Sequence, residues 1–391
     1  MKPLGKTLGW IAPLLLHAPL MRAQTGGFIA TLGRDTVHAE NFERKGDTLR
    51  GTIVTRVPTT RVTNYTMIFG PNGKPARYDI AIDDANGVPL TTNGSQATLT
   101  WRGDSIIRDM LQNGARVSGA VYAPYGAFPS PGIPYIGVSY LMYEYAFAAA
   151  REKAEATDAR IQLLAMFNGI PVEKKRIWFV GSDSAEADYF GVARSGYRFD
   201  KSGQLIRADW RGTTYRYVIA RVAKVDTRAL IDKWKTLDGS GSGIGALSPL
   251  DTSRGSVGSA ALMVVYSRPS QRGRDLWGTV VTPTAVWRLG ADMATHFTTS
   301  ENIVVGDSIV PAGRYTLWMQ YMPNGEAYLV VNKAVNVFGT QYRAQQDLVH
   351  IPLKRMNGRP QTERLTIGIA DNALQIRWGD VTWVAPIKVG R

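Results

Sequence analysis

Short runs of β-branched and aromatic residues, each closed by a glycine, asparagine or aspartate turn, recur along almost all of this 391-residue chain. Residues 37–44 and 48–56 flank Lys45-Gly46-Asp47, residues 63–69 and 76–82 flank Pro71-Asn72-Gly73-Lys74, and residues 97–102 and 105–110 flank Gly103-Asp104. Glycine reaches positive φ without steric cost and Asn or Asp tolerates it, so each spacing predicts a β-hairpin. Gly-Asp-Ser/Thr recurs at 46–48, 103–105 and 306–308, always between two strand-like runs, which is turn chemistry rather than a calcium or adhesion motif. The chain is therefore predicted to be mainly β.

Residues 28–222 are predicted to form an antiparallel β-domain carrying one helix, over about residues 138–156. Leu141, Tyr145, Ala148 and Ala149 recur there at helical intervals, so one side should pack on a sheet. A proline-rich approach, residues 124–134, brings Tyr122, Tyr125, Phe128 and Tyr135 close to that helix. Such aromatics would either roof a pocket or plug the open end of a barrel. Lipid-carrying periplasmic half-barrels share the plan of a curved sheet around one helix, so a carrier of a hydrophobic ligand is one functional alternative.

Residues 223–259 read as a linker with a short helix near 227–236. The Gly241-x-Gly243-x-x-Ala246 spacing nominally fits a dinucleotide fingerprint, but no strand precedes it and no helical pattern follows. Residues 260–389 then return to many short strands. Tyr315, Leu317 and Met319 alternate with Thr316, Trp318 and Gln320, the period of a half-buried strand, and the predicted architecture is an antiparallel, jelly-roll-like β-sandwich.

Residues 1–23 place Lys2 and Lys6 ahead of an apolar run from Leu8 to Leu20, followed by Met21-Arg22-Ala23. That order predicts a secretory leader cleaved near Ala23 and hence a periplasmic or extracellular protein. The run is broken by Pro13, His17 and Pro19 and is too short to span a bilayer. With no cysteine anywhere, thiolate metal sites and disulfides are excluded. The formal charge is +14, of which Lys2, Lys6 and Arg22 supply three. A basic surface favours anionic partners, small molecules or envelope polymers, and no nucleic-acid-binding module is recognisable.

The candidate site falls between Tyr266 and His296. Arg268, Arg272, Arg274 and Arg288 crowd there beside Trp277 and Trp287. Forked guanidinium donors match two oxygens of a carboxylate, phosphate or sulfate, and an indole supplies a stacking surface. Ser270, Asp292, Asn332 and Lys333 would add hydrogen bonds to an anionic or sugar-like ligand. The competing reading is that these arginines hold loop carbonyls or pair with carboxylates. Metal and cofactor sites are not expected. His38, His296 and His350 show no zinc-binding spacing, and no Gly-x-Ser-x-Gly elbow occurs. An envelope hydrolase using His296, Asp292 and Ser267 or Ser270 is the remaining enzymatic alternative.

The motifs YSRPSQRGR, VWRLGADMAT and VPAGRYTLW and the pair Asn332-Lys333 resemble a bacterial family of exported β-rich proteins catalogued only as a domain of unknown function. The likeness covers about residues 260–389. It implies an exported β-sandwich and brings no activity with it.

Overall fold

The computed structural model describes residues 24–71, 73–90, 94–123, 127–129, 139–153, 160–164, 172–189, 191, 193–356 and 360–390. Among these, fifteen strands join into one sheet whose order follows the chain outward from a seam. At that seam Gln24–Leu32 pairs antiparallel with Val218–Val222. Strands up to Ala115–Tyr122 extend from one side, and strands back to Phe128–Pro129 extend from the other. The period-2 patterning carries over directly. Thr63, Tyr65 and Met67 of Arg61–Phe69 and Tyr78, Ile80 and Ile82 of Pro75–Asp84 are all buried. Gly46, Gly103 and Gly306 all have positive φ at the predicted turns.

The helix is present as α1, Leu141–Lys153. The expectation that one side would pack on a sheet is corrected, because every residue from Leu141 to Phe147 is buried. The sheet curls around α1, and alanines and aromatics on all sides let the strands close in. The start of α1 is fixed by two acceptors. Ser139 Oγ accepts from Leu141 N (3.1 Å), and the fully buried Glu40 carboxylate accepts from Tyr140 N (3.2 Å) and the Tyr65 hydroxyl (2.7 Å). Within α1, Glu144 accepts from Arg221 Nη1 (2.9 Å), Leu205 N (2.8 Å) and Gln24 Nε2 (2.9 Å). Burial still pushes its carboxyl above the usual range. Of the aromatics placed near α1, Phe128 stacks on Tyr145 (6.3 Å) and Tyr122 faces solvent. Tyr125, Tyr135 and the rest of the proline-rich loop apart from residues 127–129 lie outside the described residues, as do residues 1–23.

Residues 223–259 are more than a connector. Asp226 caps α2 (Thr227–Gly239), its carboxylate accepting from Ala229 N (3.0 Å). Trp234 of α2 packs with Ala39, Val54 and Val225 on the outer side of the sheet. Leu250–Val257, read from sequence as part of the linker, is a strand paired with Ala260–Ser267. Its mixed Asp-Thr-Ser-Arg-Gly-Ser composition suits a sheet edge and hides the period-2 signal.

The C-terminal part is a sandwich. One sheet runs Leu250–Val257, Ala260–Ser267, Thr295–Thr299, Gly313–Tyr321, Ala327–Asn332 and Asp347–Pro352. The second contains Ile303–Val305, Val381–Val389, Ala373–Gly379 and Thr362–Ala370. Phe297, Leu317 and Leu329 meet Leu365, Ile376 and Trp383 between them. Strand Gly313–Tyr321 is buried on both faces rather than one. Trp318 packs under Tyr342 (5.0 Å) and donates to Thr316 Oγ1 (3.0 Å) beneath a covering loop.

The two domains meet at a hairpin tip. Gly33-Arg34 turns between Gln24–Leu32 and Asp35–Lys45 and seats against the Gln271–Arg274 turn. Arg34 N donates to Arg272 O (3.0 Å), and Arg272 Nη1 pairs with Asp35 Oδ2 at 2.5 Å. Gly33 has φ +60°, and a Cβ there would stand 2.2 Å from Arg272 O.

Two predictions follow from this packing. Arg221→Met leaves Glu144 buried without its charge partner and should destabilise by about 3 kcal/mol in denaturant unfolding at neutral pH, with Glu144→Leu added restoring most of the loss. Glu144 without Arg221 holds its proton more firmly in the folded than in the unfolded state. Stability of that variant should therefore fall as pH rises from about 4.3 through the raised folded value. Gly33→Ala should part the domains, giving two thermal transitions where the parent gives one. An unchanged single transition would show that the tip does not govern the junction.

Candidate functional site

The four arginines singled out in the sequence do not share one role. Arg268 is fully engaged by protein: Nε donates to Leu365 O (3.0 Å), Nη2 to Thr366 Oγ1 (2.9 Å), and Nη1 pairs with Asp251 (3.1 Å). Arg274 closes its own turn, donating to Gln271 O (2.9 Å) and Ser270 O. Arg272 holds Asp35, while its buried Nε has no hydrogen-bond partner. Arg288 is different again. Its side chain is half-buried, and its Nε is buried without a hydrogen-bond partner.

Arg272, Arg274 and Arg288 face a cleft of about 430 Å³ between the domains. Ser270, Trp287 and Asp292 line the same wall, together with Trp378. The facing wall comes from the N-terminal domain: Leu32, Tyr189, Thr213, Tyr215, Arg216 and Tyr217. The candidate site therefore belongs to both domains, not to the sandwich alone as the sequence suggested. Four of the ten expected residues lie elsewhere. Arg268 ties strands together as above. Trp277 packs on Tyr321 (5.6 Å) and Trp383 (5.8 Å) in the sandwich. Asn332 is buried, bonding Arg343 O (2.8 Å) and Asp347 Oδ1 (2.7 Å), and Lys333 is exposed beside it.

Arg216 was missed because Tyr215–Arg221 reads as a continuous strand. The strand begins only at Val218, since Arg216 sits at φ +58° and turns the chain. Its guanidinium crosses the junction to Val280 O (2.9 Å) and Thr279 O (3.3 Å). The crowded Arg-Gly-Thr-Thr-Tyr-Arg-Tyr segment, residues 211–217, was the available signal.

The cleft is electrostatically unfavourable as it stands. Burial lowers the pKa of Arg216, and Arg288 lowers it further. Arg274 is brought down to about 10 by burial and then by Arg216 and Arg272, with Glu363 opposing. Burial also lowers Arg288, Asp292 partly offsetting it. Arg272 and Asp292, like Arg216, hold left-handed backbone at φ +53° and +57°. Each such conformation costs a non-glycine residue on the order of 1 kcal/mol.

Two other arrangements are weaker sites. His296 lies outside the cleft lining, and its Nε2 accepts from Asn336 N (3.0 Å), so it faces a loop amide rather than Ser270. A larger groove of about 1030 Å³ crosses the outer face of the N-terminal sheet. Six of its polar side chains are paired with each other: Thr52 with Asn64 (2.8 Å), Thr98 with Asp79 (2.7 Å) and Arg116 with Asp109 (2.9 Å). Among the described residues no cluster of three or more His, Cys, Asp or Glu could hold a metal ion. No helix among them is long and apolar enough to cross a membrane.

No curated protein matches the chain. A crystal structure of a β-barrel-like protein of domain of unknown function DUF1849 from Brucella abortus is similar at 10% identity and a TM-score of 0.31. The match covers 52% of this chain and 95% of that one. Over residues 248–387 the chain matches the family model DUF2911, described as a protein of unknown function.

Proposed function

We propose that this protein is a non-catalytic binder of an anionic ligand (a phosphate, sulfate or carboxylate group) held in the interdomain cleft. The observation that carries this reading is Arg288, a half-buried guanidinium on the cleft wall with no hydrogen bond from protein. A partly buried cation without a hydrogen-bond acceptor loses hydration that Asp292 offsets only in part, and an anion would restore the rest. Arg216, Arg272 and Arg274 surround the same space, so an incoming oxyanion would meet positive charge from both domains and the free donors of Arg288. Export belongs to the same reading, supported by the order of charged, apolar and small residues in positions 1–23. Fractionation of expressing cells should recover the chain outside the cytoplasm, cut near Ala23.

Comparison of two arginines separates a binding role from a structural one. Arg268→Met removes three protein contacts and should lower the melting temperature by several degrees without changing anion affinity. Arg288→Met removes a charge that no protein hydrogen bond satisfies and that Asp292 offsets only in part. It should leave the melting temperature unchanged or raised, while calorimetric affinity for inorganic phosphate or sulfate falls at least about tenfold. An Arg288→Met protein that melts lower and binds these anions as before would overturn the proposal.

A further inference from the structure

Beside the arginines, the cleft carries an aromatic wall that an inorganic anion would not need. Trp287 immediately precedes Arg288, so one two-residue strand, Val286–Trp287, and the residue after it bring an indole and the unpartnered guanidinium to the same wall. The Trp287 ring lies nearly parallel to Trp378, 5.4 Å between centroids and 12° between planes. Trp378 is only 1% exposed, so it backs Trp287 rigidly and fixes the plane it presents. Trp378 Nε1 also has no hydrogen-bond partner, although the residue lines the cleft. On the facing domain Tyr215 stacks on Tyr217 at 6.1 Å and 24°. Phe338 stands at the same cleft and is 42% exposed, a large apolar side chain left open to water.

What is missing from the lining decides between kinds of ring. Sugar hydroxyls need acceptors and paired donors, which carboxylates and amides supply. Among the described lining residues Asp292 is the sole carboxylate, and no Asn or Gln occurs. Flat π-faces are plentiful instead, and the volume suits a single ring with one charged substituent better than a polymer segment.

Resting on the anion-site proposal, we infer that the ligand carries its phosphate, sulfate or carboxylate on a planar aromatic or heteroaromatic ring that lies against Trp287. The charged group sits at Arg288 and Arg216, and the ring is held by stacking.

Calorimetric titration of the full chain with inorganic phosphate, phenyl phosphate and glucose 6-phosphate tests this. Phenyl phosphate should bind about tenfold or more tightly than inorganic phosphate, the size expected of one aromatic stacking contact, and glucose 6-phosphate should bind like inorganic phosphate. Trp287→Leu keeps bulk and apolarity but removes the π-face, so it should erase the phenyl advantage and spare inorganic phosphate. Tyr215→Leu, in the partner wall, should reduce the advantage too and serves if circular dichroism shows that Trp287→Leu does not fold. Equal binding of phenyl and inorganic phosphate would overturn the ring inference and leave the anion site standing. Tightest binding of glucose 6-phosphate would overturn it in favour of a sugar. No binding of any of the three would remove the anion site and the ring with it.

Discussion

The seating of the Gly33-Arg34 tip against the Gln271–Arg274 turn is the contact on which the cleft depends. Each domain is closed on its own, with α1 filling the curled sheet and Trp383 and its neighbours filling the sandwich. What joins them is polar and specific: the buried Arg272 with Asp35, Arg34 N with Arg272 O, and Arg216 with Thr279 O and Val280 O. A junction of this kind fixes register better than it adds stability, because desolvating an ion pair offsets much of its attraction. The absence of a Cβ at Gly33 is what allows the backbones to approach.

That junction places the arginines where they repel. Arg216 belongs to one domain and Arg288 to the other, and Arg288 makes the charge on Arg216 costlier. Arg272 and Arg274 flank them, and Glu363 and Asp292 offset only part of the effect. A stable protein would ordinarily replace such a group with an apolar one or supply a carboxylate. Left-handed backbone at Arg216, Arg272 and Asp292 adds strain at the same place. Partly offset charge and strain together at one cleft are what the proposed anion site would account for.

Much of this was legible in the sequence, for identifiable reasons. Strands with a strict alternation, such as Arg61–Phe69 and Thr362–Ala370, announce themselves because one face must be buried. Leu250–Val257 and Ala115–Tyr122 did not, because edge strands bury little and keep no period. The arginine-rich stretch marked one wall of the cleft and could not reveal the other. Trp277 and Trp287 look equivalent as letters, yet one is sandwich packing and the other borders open space. Arg268 and Arg288 likewise differ only in what the fold sets before them. Patterning reports which side chains leave water, and contacts across hundreds of residues decide what they meet.

Because the repelling charges come from different domains, occupancy of the cleft and the geometry of the junction are thermodynamically linked. An anion between Arg216 and Arg288 would turn mutual repulsion into a shared attraction, binding the closed arrangement better than any arrangement in which the walls separate. Asp35 and the backbone bonds of the hairpin tip hold the walls near enough for one small ligand to touch both. The aromatic wall serves the same end, since the indole pair is anchored in the sandwich and the tyrosine pair in the curled sheet. Under the proposed reading, recognition belongs to the pair of domains, which is why neither half of the sequence alone displays it.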